Sequence, residues 1–269
     1  MTNLRPFSFT DDSTNVAIRC DLATRSMPWN DQHEQDQLFL RQLDPAMQIL
    51  QLRQMQSSAY QINFQSRNRH EQEYWPLVIN FLSKVQVWAE KIPDAIQRPM
   101  KQLLRSEVLY GFIIVLAPPG SSQTNTYGTA LLFTYAVEYA NIMASVDGDS
   151  KNFAFCTCND IIRTSHVAER FLRVITETPS RILNEGMPEF FPPSSVSVTP
   201  PSLPKWRVGD VLDRALKCLE NLEQTLENLG QRFDMPDPLR EYKIKSNGVR
   251  PMLDSRREQW SRRLRQHAP

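Results

Sequence analysis

His166 and Glu169 lie three residues apart in a stretch of helical periodicity, so their side chains share one face. A histidine beside a carboxylate can pass a proton to or from a bound reactant. Glu107, in a second and more apolar stretch, is the other candidate for proton transfer. Five aromatic residues, Trp88, Tyr110, Phe112, Tyr135 and Tyr139, could line an apolar pocket whose ring faces steady a cationic intermediate or hold a hydrophobic metabolite. Each of these has a plainer account. Aromatics at helical spacing also make ordinary core, and a His–Glu pair at this spacing also makes an ordinary surface pair.

Metal-binding patterns fare worse. Magnesium held by one helix face needs ligands at four-residue steps, but the positions four and eight beyond Asn159 are Arg163 and Val167. An arginine in the middle would repel the cation, and Asn159-Asp160 reads better as a capped helix start. Asp11, Asp12 and Asn15 form an acidic cluster with no second cluster at a defined spacing. No metal and no cofactor is implied. Nucleophile elbows, Walker loops, dinucleotide-binding glycines and His-Glu-x-x-His helices are absent. With only 8 glycines the chain also lacks the loops that cradle phosphate.

Cys20, Cys156, Cys158 and Cys218 follow neither a disulfide framework nor a zinc-ligand spacing. They read as idle or buried thiols in a reducing compartment. The longest apolar run, Phe112 to Ala117, is far too short to span a bilayer, and no secretory leader pattern opens the chain. The expected location is the nucleus or the cytoplasm, with no membrane contact.

The elements that would position these residues are helical throughout. Residues 1–32 read as an irregular arm, with Asp31 as an N-cap for the next element. Residues 33–66 form a long polar helix that Pro45 begins or interrupts. The clearest amphipathic helix is 76–92, with Pro76 in its first turn and Pro93 at its end. Residues 99–117 begin amphipathic and end wholly apolar, as a buried helix or, alternatively, a buried strand. Residues 124–146 and 157–177 repeat the helical pattern, closing a core that spans 33–177. Residues 178–204 hold seven Pro and five Ser, too many for regular structure, and read as a long loop. In 205–238, Leu212, Leu219 and Leu226 anchor a leucine face that either packs into the core or seats a partner helix, with Gly230 as its stop. Residues 239–269 are a basic tail with nine Lys/Arg against three Asp/Glu, so the remainder of a chain whose overall charge is +1 carries −5. In that tail Pro251 opens a helix on which Leu253, Trp260 and Leu264 share a face among arginines. The expected fold is all-α: an irregular bundle of six to eight helices with an extended N-terminal arm and a basic C-terminal tail.

Several short segments occur in a telling order. Arg5-Pro6-Phe7-Ser8-Phe9-Thr10-Asp11-Asp12 opens the chain, and Leu52-Arg53-Gln54-Met55-Gln56-Ser57 lies within a later helix. Val87-Trp88-Ala89 comes next, then Glu107-Val108-Leu109-Tyr110 running through Val115-Leu116-Ala117-Pro118-Pro119, then an alanine-bearing helix from Ala130 to Ala144. Together, over residues 4–230, these resemble the C-terminal part of the regulatory domain of fungal zinc binuclear cluster transcription factors. The usual opening glycine is replaced by Leu4, and the cysteine-rich DNA-reading module has no counterpart.

The resemblance implies an all-helical fold and a transcription-regulator-like role, in the nucleus, on a fungal metabolic gene cluster such as one for secondary metabolism. Lacking its own DNA reader, the chain would act by association with a protein partner or a small hydrophobic effector. Direct nucleic-acid binding is disfavoured, because no groove-reading element is recognisable beside the Arg-rich tail. An oligomer is compatible with the leucine face. The alternative is an enzyme remodelled from this scaffold, with the aromatic pocket for substrate and Glu107, His166 and Glu169 for proton transfer. A truncated product with no independent role is a third reading, which poor solubility would mark.

Overall fold

The computed structural model describes residues 47–58, 71–92, 96, 98–117, 125–147, 156–177, 179–187 and 199–266. The arm 1–32 with Asp11, Asp12, Asn15, Cys20 and Asp31, the helix portions 33–46 and 59–66 with Pro45, and His70 and His267 lie outside them. Among the described residues all regular structure is helical. Nine helices occur among them, in order: α1 (residues 47–58), α2 (Glu71–Glu90), α3 (Arg98–Leu116), α4 (Thr126–Asp147), α5 (Cys158–Glu177), α6 (Pro179–Glu185), α7 (Val208–Phe233), α8 (Asp237–Ser246) and α9 (Val249–Gln266). No described helix is long and apolar enough to cross a membrane.

α4 sits at the centre. Leu131, Leu132, Phe133, Ala136, Val137, Tyr139, Ala140 and Met143 are buried around its whole circumference, as a helix with neighbours on all sides requires. α3 packs on one flank, α5 and α7 on the other, and α2 covers α3. The apolar end of α3, Val108 to Leu116, is helical rather than a strand because it too is enclosed, with Phe112 seated between Phe81 and Tyr135. α7 is the second organising element and touches α4, α5, α6, α8 and α9. Its leucines Leu212, Leu216, Leu219, Leu222, Leu226 and Leu229 are all buried, each worth ~2 kcal/mol of transfer free energy. The partner-seating alternative for Leu212, Leu219 and Leu226 therefore fails. Their face is filled by the chain's own helices.

Four further expectations are corrected. α2 begins at Glu71, so Pro76 lies inside it; a proline there forfeits one bond to the first turn, while Trp75 and Val78 beside it are buried. Gly230 lies within α7 rather than ending it. The stop is Asp234 in the left-handed conformation (φ 53), with the Met235 N–H donating to the Gly230 carbonyl at 2.9 Å.

The 178–204 segment carries the helix α6. Pro179 occupies its first position, Ile182 and Leu183 are buried, and Gly186 closes it at φ 79, a conformation open to glycine. Residues 199–206 then lie pinned along the bundle. Thr199 accepts from Ser83 Oγ at 3.1 Å, Pro201 accepts from Tyr127 Oη at 2.6 Å, and the Trp206 carbonyl accepts from the Met187 N–H at 2.9 Å.

The basic tail is no tail. α8 and α9 fold back onto α7, burying Tyr242, Val249 and Leu253, and Tyr242 Oη donates to the Leu219 carbonyl at 2.9 Å. The cause is charge complementarity as well as apolar area. α7 offers Asp213, Glu220 and Glu223 to Arg257, Arg250 and Lys243. The pairs Arg250–Glu220 and Arg257–Asp213, with Trp260 against Gly209, make α9 antiparallel to α7. α9 thus overruns the start of α7, which is why Leu264 is 56% exposed although it shares a face with Leu253 and Trp260.

Candidate functional site

α3 carries Glu107 into the interior, where it is 7% exposed. A carboxylate survives there only if it is paired and hydrogen-bonded. α1 supplies Arg53, whose fork donates to Glu107 Oε2 at 2.8 Å and to Oε1 at 3.0 Å. α5 supplies Arg163, which donates to Glu107 Oε1 and, at 3.2 Å, to Asp160 Oδ1. Gln56 closes the cluster: its Nε2 donates to the Glu107 main-chain carbonyl at 3.0 Å and to Oε2 at 3.2 Å, while its Oε1 accepts from Arg53 at 2.6 Å.

Asp160 is positioned by its own helix start. Its Oδ2 accepts from the Thr157 N–H at 2.7 Å and from Thr157 Oγ1 at 3.0 Å, one half of a capping box, which ties down the start of α5. Burial acts to lower the Arg163 pKa, but Glu107 and Asp160 prevail and hold it raised, so the guanidinium stays charged. Two guanidinium groups and two carboxylates thus cancel one another across α1, α3 and α5. With both Glu107 oxygens already occupied, this group is an anchor and not a free acid or base.

His166 stands beside this cluster with its ring edge-on to Tyr110, centroids 5.9 Å apart. The expected partnership with Glu169 does not form. Glu169 is exposed, and the hydrogen bond to His166 Nε2 comes from Arg170 Nε at 3.2 Å. The Nδ1 must then carry the proton, and it has no partner among the described residues. Burial, with the Arg170 charge behind it, pushes the ring pKa down to about 4, against a weaker upward pull from Glu169. A neutral imidazole whose acceptor nitrogen is taken by a guanidinium is poorly placed for proton transfer.

The five aromatics do not converge. Trp88 is at the α1/α2 edge, donating from Nε1 to Gln51 Oε1 at 3.0 Å. Phe112 packs on Tyr135 with centroids 4.9 Å apart, between α3 and α4. Tyr110 lies against Arg163 and His166. Tyr139, 1% exposed, shares a 3.2 Å hydrogen bond with Thr164 between α4 and α5, and burial raises its pKa. These are core contacts at four separate helix pairs. The described residues also bring no group of three His, Cys, Asp or Glu side chains together to hold a metal ion.

A groove of about 570 Å³ opens elsewhere, between α6, α7 and α9. Val208 and Leu212 of α7, Leu183 of α6 and Met252 of α9 give it apolar walls. Trp260 forms one side, and Arg256, Arg263, Gln259, Ser255 and Asn184 supply the polar part. No carboxylate of a described residue lines it. A Cβ at position 209 would fall 3.1 Å from Trp260 Nε1, so Gly209 is what lets the indole come this close to α7. Arg256 is steadied by donating to Asn184 Oδ1 at 2.7 Å. The sequence signal for this site is Trp260 between arginines on a helix face, but its apolar walls come from two helices distant in the chain.

No family model, curated protein or solved structure matches the chain.

Proposed function

We propose that this chain is an association module of the transcription-regulator type, which responds to a small hydrophobic effector or a protein partner. The support is the ordered resemblance over residues 4–230 together with the all-helical fold. The observation that carries the reading is the contrast in how polar groups are used. Glu107 and His166, the groups best suited to catalysis, are engaged by arginines of the same chain, whereas the α6/α7/α9 groove presents open donors over apolar walls. A groove of this size, with a few polar groups beside apolar side chains, can hold a small ligand. In this reading the chain acts in the nucleus on a metabolic gene cluster, and three of the basic residues on α8 and α9, Lys243, Arg250 and Arg257, pair with acids of α7.

The test is to tether the full chain to an unrelated DNA-binding module upstream of a reporter. Output should differ from that of the module alone, in either direction. Equal output from equal amounts of protein would remove the reading. Turnover of a hydrophobic metabolite by the purified chain would replace it with the enzyme alternative.

A further inference from the structure

We infer that the α6/α7/α9 groove is the effector site and that its ligand is a small carboxylic acid with an apolar body. The inference deepens the association-module reading and rests on it. Its first ground is charge. Arg256 and Arg263 both reach the groove, no acidic side chain of a described residue lines it, and Arg263 has no ion pair with any described residue. Elsewhere on α9, Arg250 pairs with Glu220, Arg257 with Asp213 and Arg262 with Glu258, while Arg265, which does not line the groove, pairs with no described residue either. Arg263 is thus an unmatched guanidinium at the groove, where a planar fork suits a carboxylate.

The second ground is the indole. Trp260 is partly buried with its pyrrole edge beside Gly209, and its Nε1–H is not buried and donates to no described residue, so it is open to an acceptor on a ligand. A carboxylate between Arg263 and Trp260 would take both donors, while Met252 and the edge of Val208 cover part of the remainder of the ligand. The third ground is size. A space of about 570 Å³ suits a compact metabolite and is small for a protein segment with its flanks.

The experiment uses the full chain and two probes, dodecanoate below its micelle concentration and 2-naphthoate, titrated by calorimetry. Dodecanol serves as the uncharged control. At least one acid should bind saturably, with dodecanol weaker by about ten-fold or more. Arg263→Ala should weaken the acid by a similar factor and leave dodecanol unchanged. Gly209→Ala, which displaces the indole by a few tenths of an ångström, should weaken both. Because Arg263 is exposed, that variant keeps its fold, which melting curves check. Failure of both acids to bind would overturn the proposal. So would acid binding indifferent to Arg263→Ala. Saturable binding of an acidic helical peptide with neither acid bound would overturn it in favour of a protein partner. Dimerisation lost in Arg263→Ala would overturn it by assigning the groove to a second copy. The tethered reporter separates the two levels: acid binding without any reporter effect sinks the regulatory reading alone, and a reporter effect without acid binding sinks this inference alone.

Discussion

The cluster around Glu107 and the groove beside Trp260 both gather arginines on helices, and they use them in opposite ways. At Glu107 two arginines meet a buried carboxylate and a capped aspartate, and every charge is answered within the chain. At Trp260 two arginines edge a mixed polar and apolar groove that no carboxylate of a described residue lines. The first arrangement uses electrostatics to join α1, α3 and α5. The second leaves Arg263 open to a ligand. A charged residue is therefore a weak pointer to function until its partners are known.

The strongest challenge to this contrast is Glu107→Ala. It strands Arg53 and Arg163 beside each other in a partly closed site and should cost about 3–5 kcal/mol of stability, read by urea unfolding. A loss under about 1 kcal/mol would mean that the cluster is solvated and loosely held. The companion variant replaces Arg53, Glu107 and Arg163 together by Met, Leu and Met. If the charges serve only each other, much of the lost stability should return, because the desolvation of all three groups is removed at once.

The next effect is one of pH. The His166 ring has a folded pKa of about 4, below the ordinary 6.5. Between those values the unfolded chain binds the extra proton, so stability rises with pH across that window and is flat from this source above 6.5 and below 4. The shift corresponds to at most ~3 kcal/mol. His166→Phe, which keeps a ring against Tyr110 and removes the titration, should flatten the slope. An unchanged slope would place its source in other groups.

A smaller effect is expected at the groove. Gly209→Ala puts a methyl carbon 3.1 Å from the indole nitrogen. The indole must tilt by a few tenths of an ångström, while alanine is the better helix former by up to ~1 kcal/mol, so stability should change by less than about 1 kcal/mol. Near-UV circular dichroism should report the tilt, and unchanged aromatic bands would show that Trp260 is not held there.

Much of this architecture is legible from local pattern. The helical stretches at 99–117, 124–146, 157–177 and 206–229 appear as α3, α4, α5 and α7, because leucine and aromatic periodicity records which face is buried. What the pattern lacks is partners. Glu107 reads as a candidate acid because Arg53 lies 54 residues before it and Arg163 lies 56 after it. His166 reads as a partner of Glu169 because spacing alone cannot choose between residues three and four positions on. Composition misleads at 178–204, where prolines hide a seven-residue helix that starts with one of them. It misleads again at 239–269, where net charge suggests a free tail although three acids on α7, Asp213, Glu220 and Glu223, pair with it.

The smallest expected effect is also the most discriminating. Arg263→Ala removes a guanidinium that no described residue pairs with, so stability should change by less than about 0.5 kcal/mol. Arg163→Ala, the same chemical truncation at the other site, exposes Glu107 and Asp160 to each other and should cost several times more, about 3 kcal/mol or above. The two substitutions delete identical atoms from the same residue type, so their difference measures the environment alone. If both variants unfolded at the same urea concentration, the groove arginine would be structural after all, and the distinction between a consumed and an available charge would collapse.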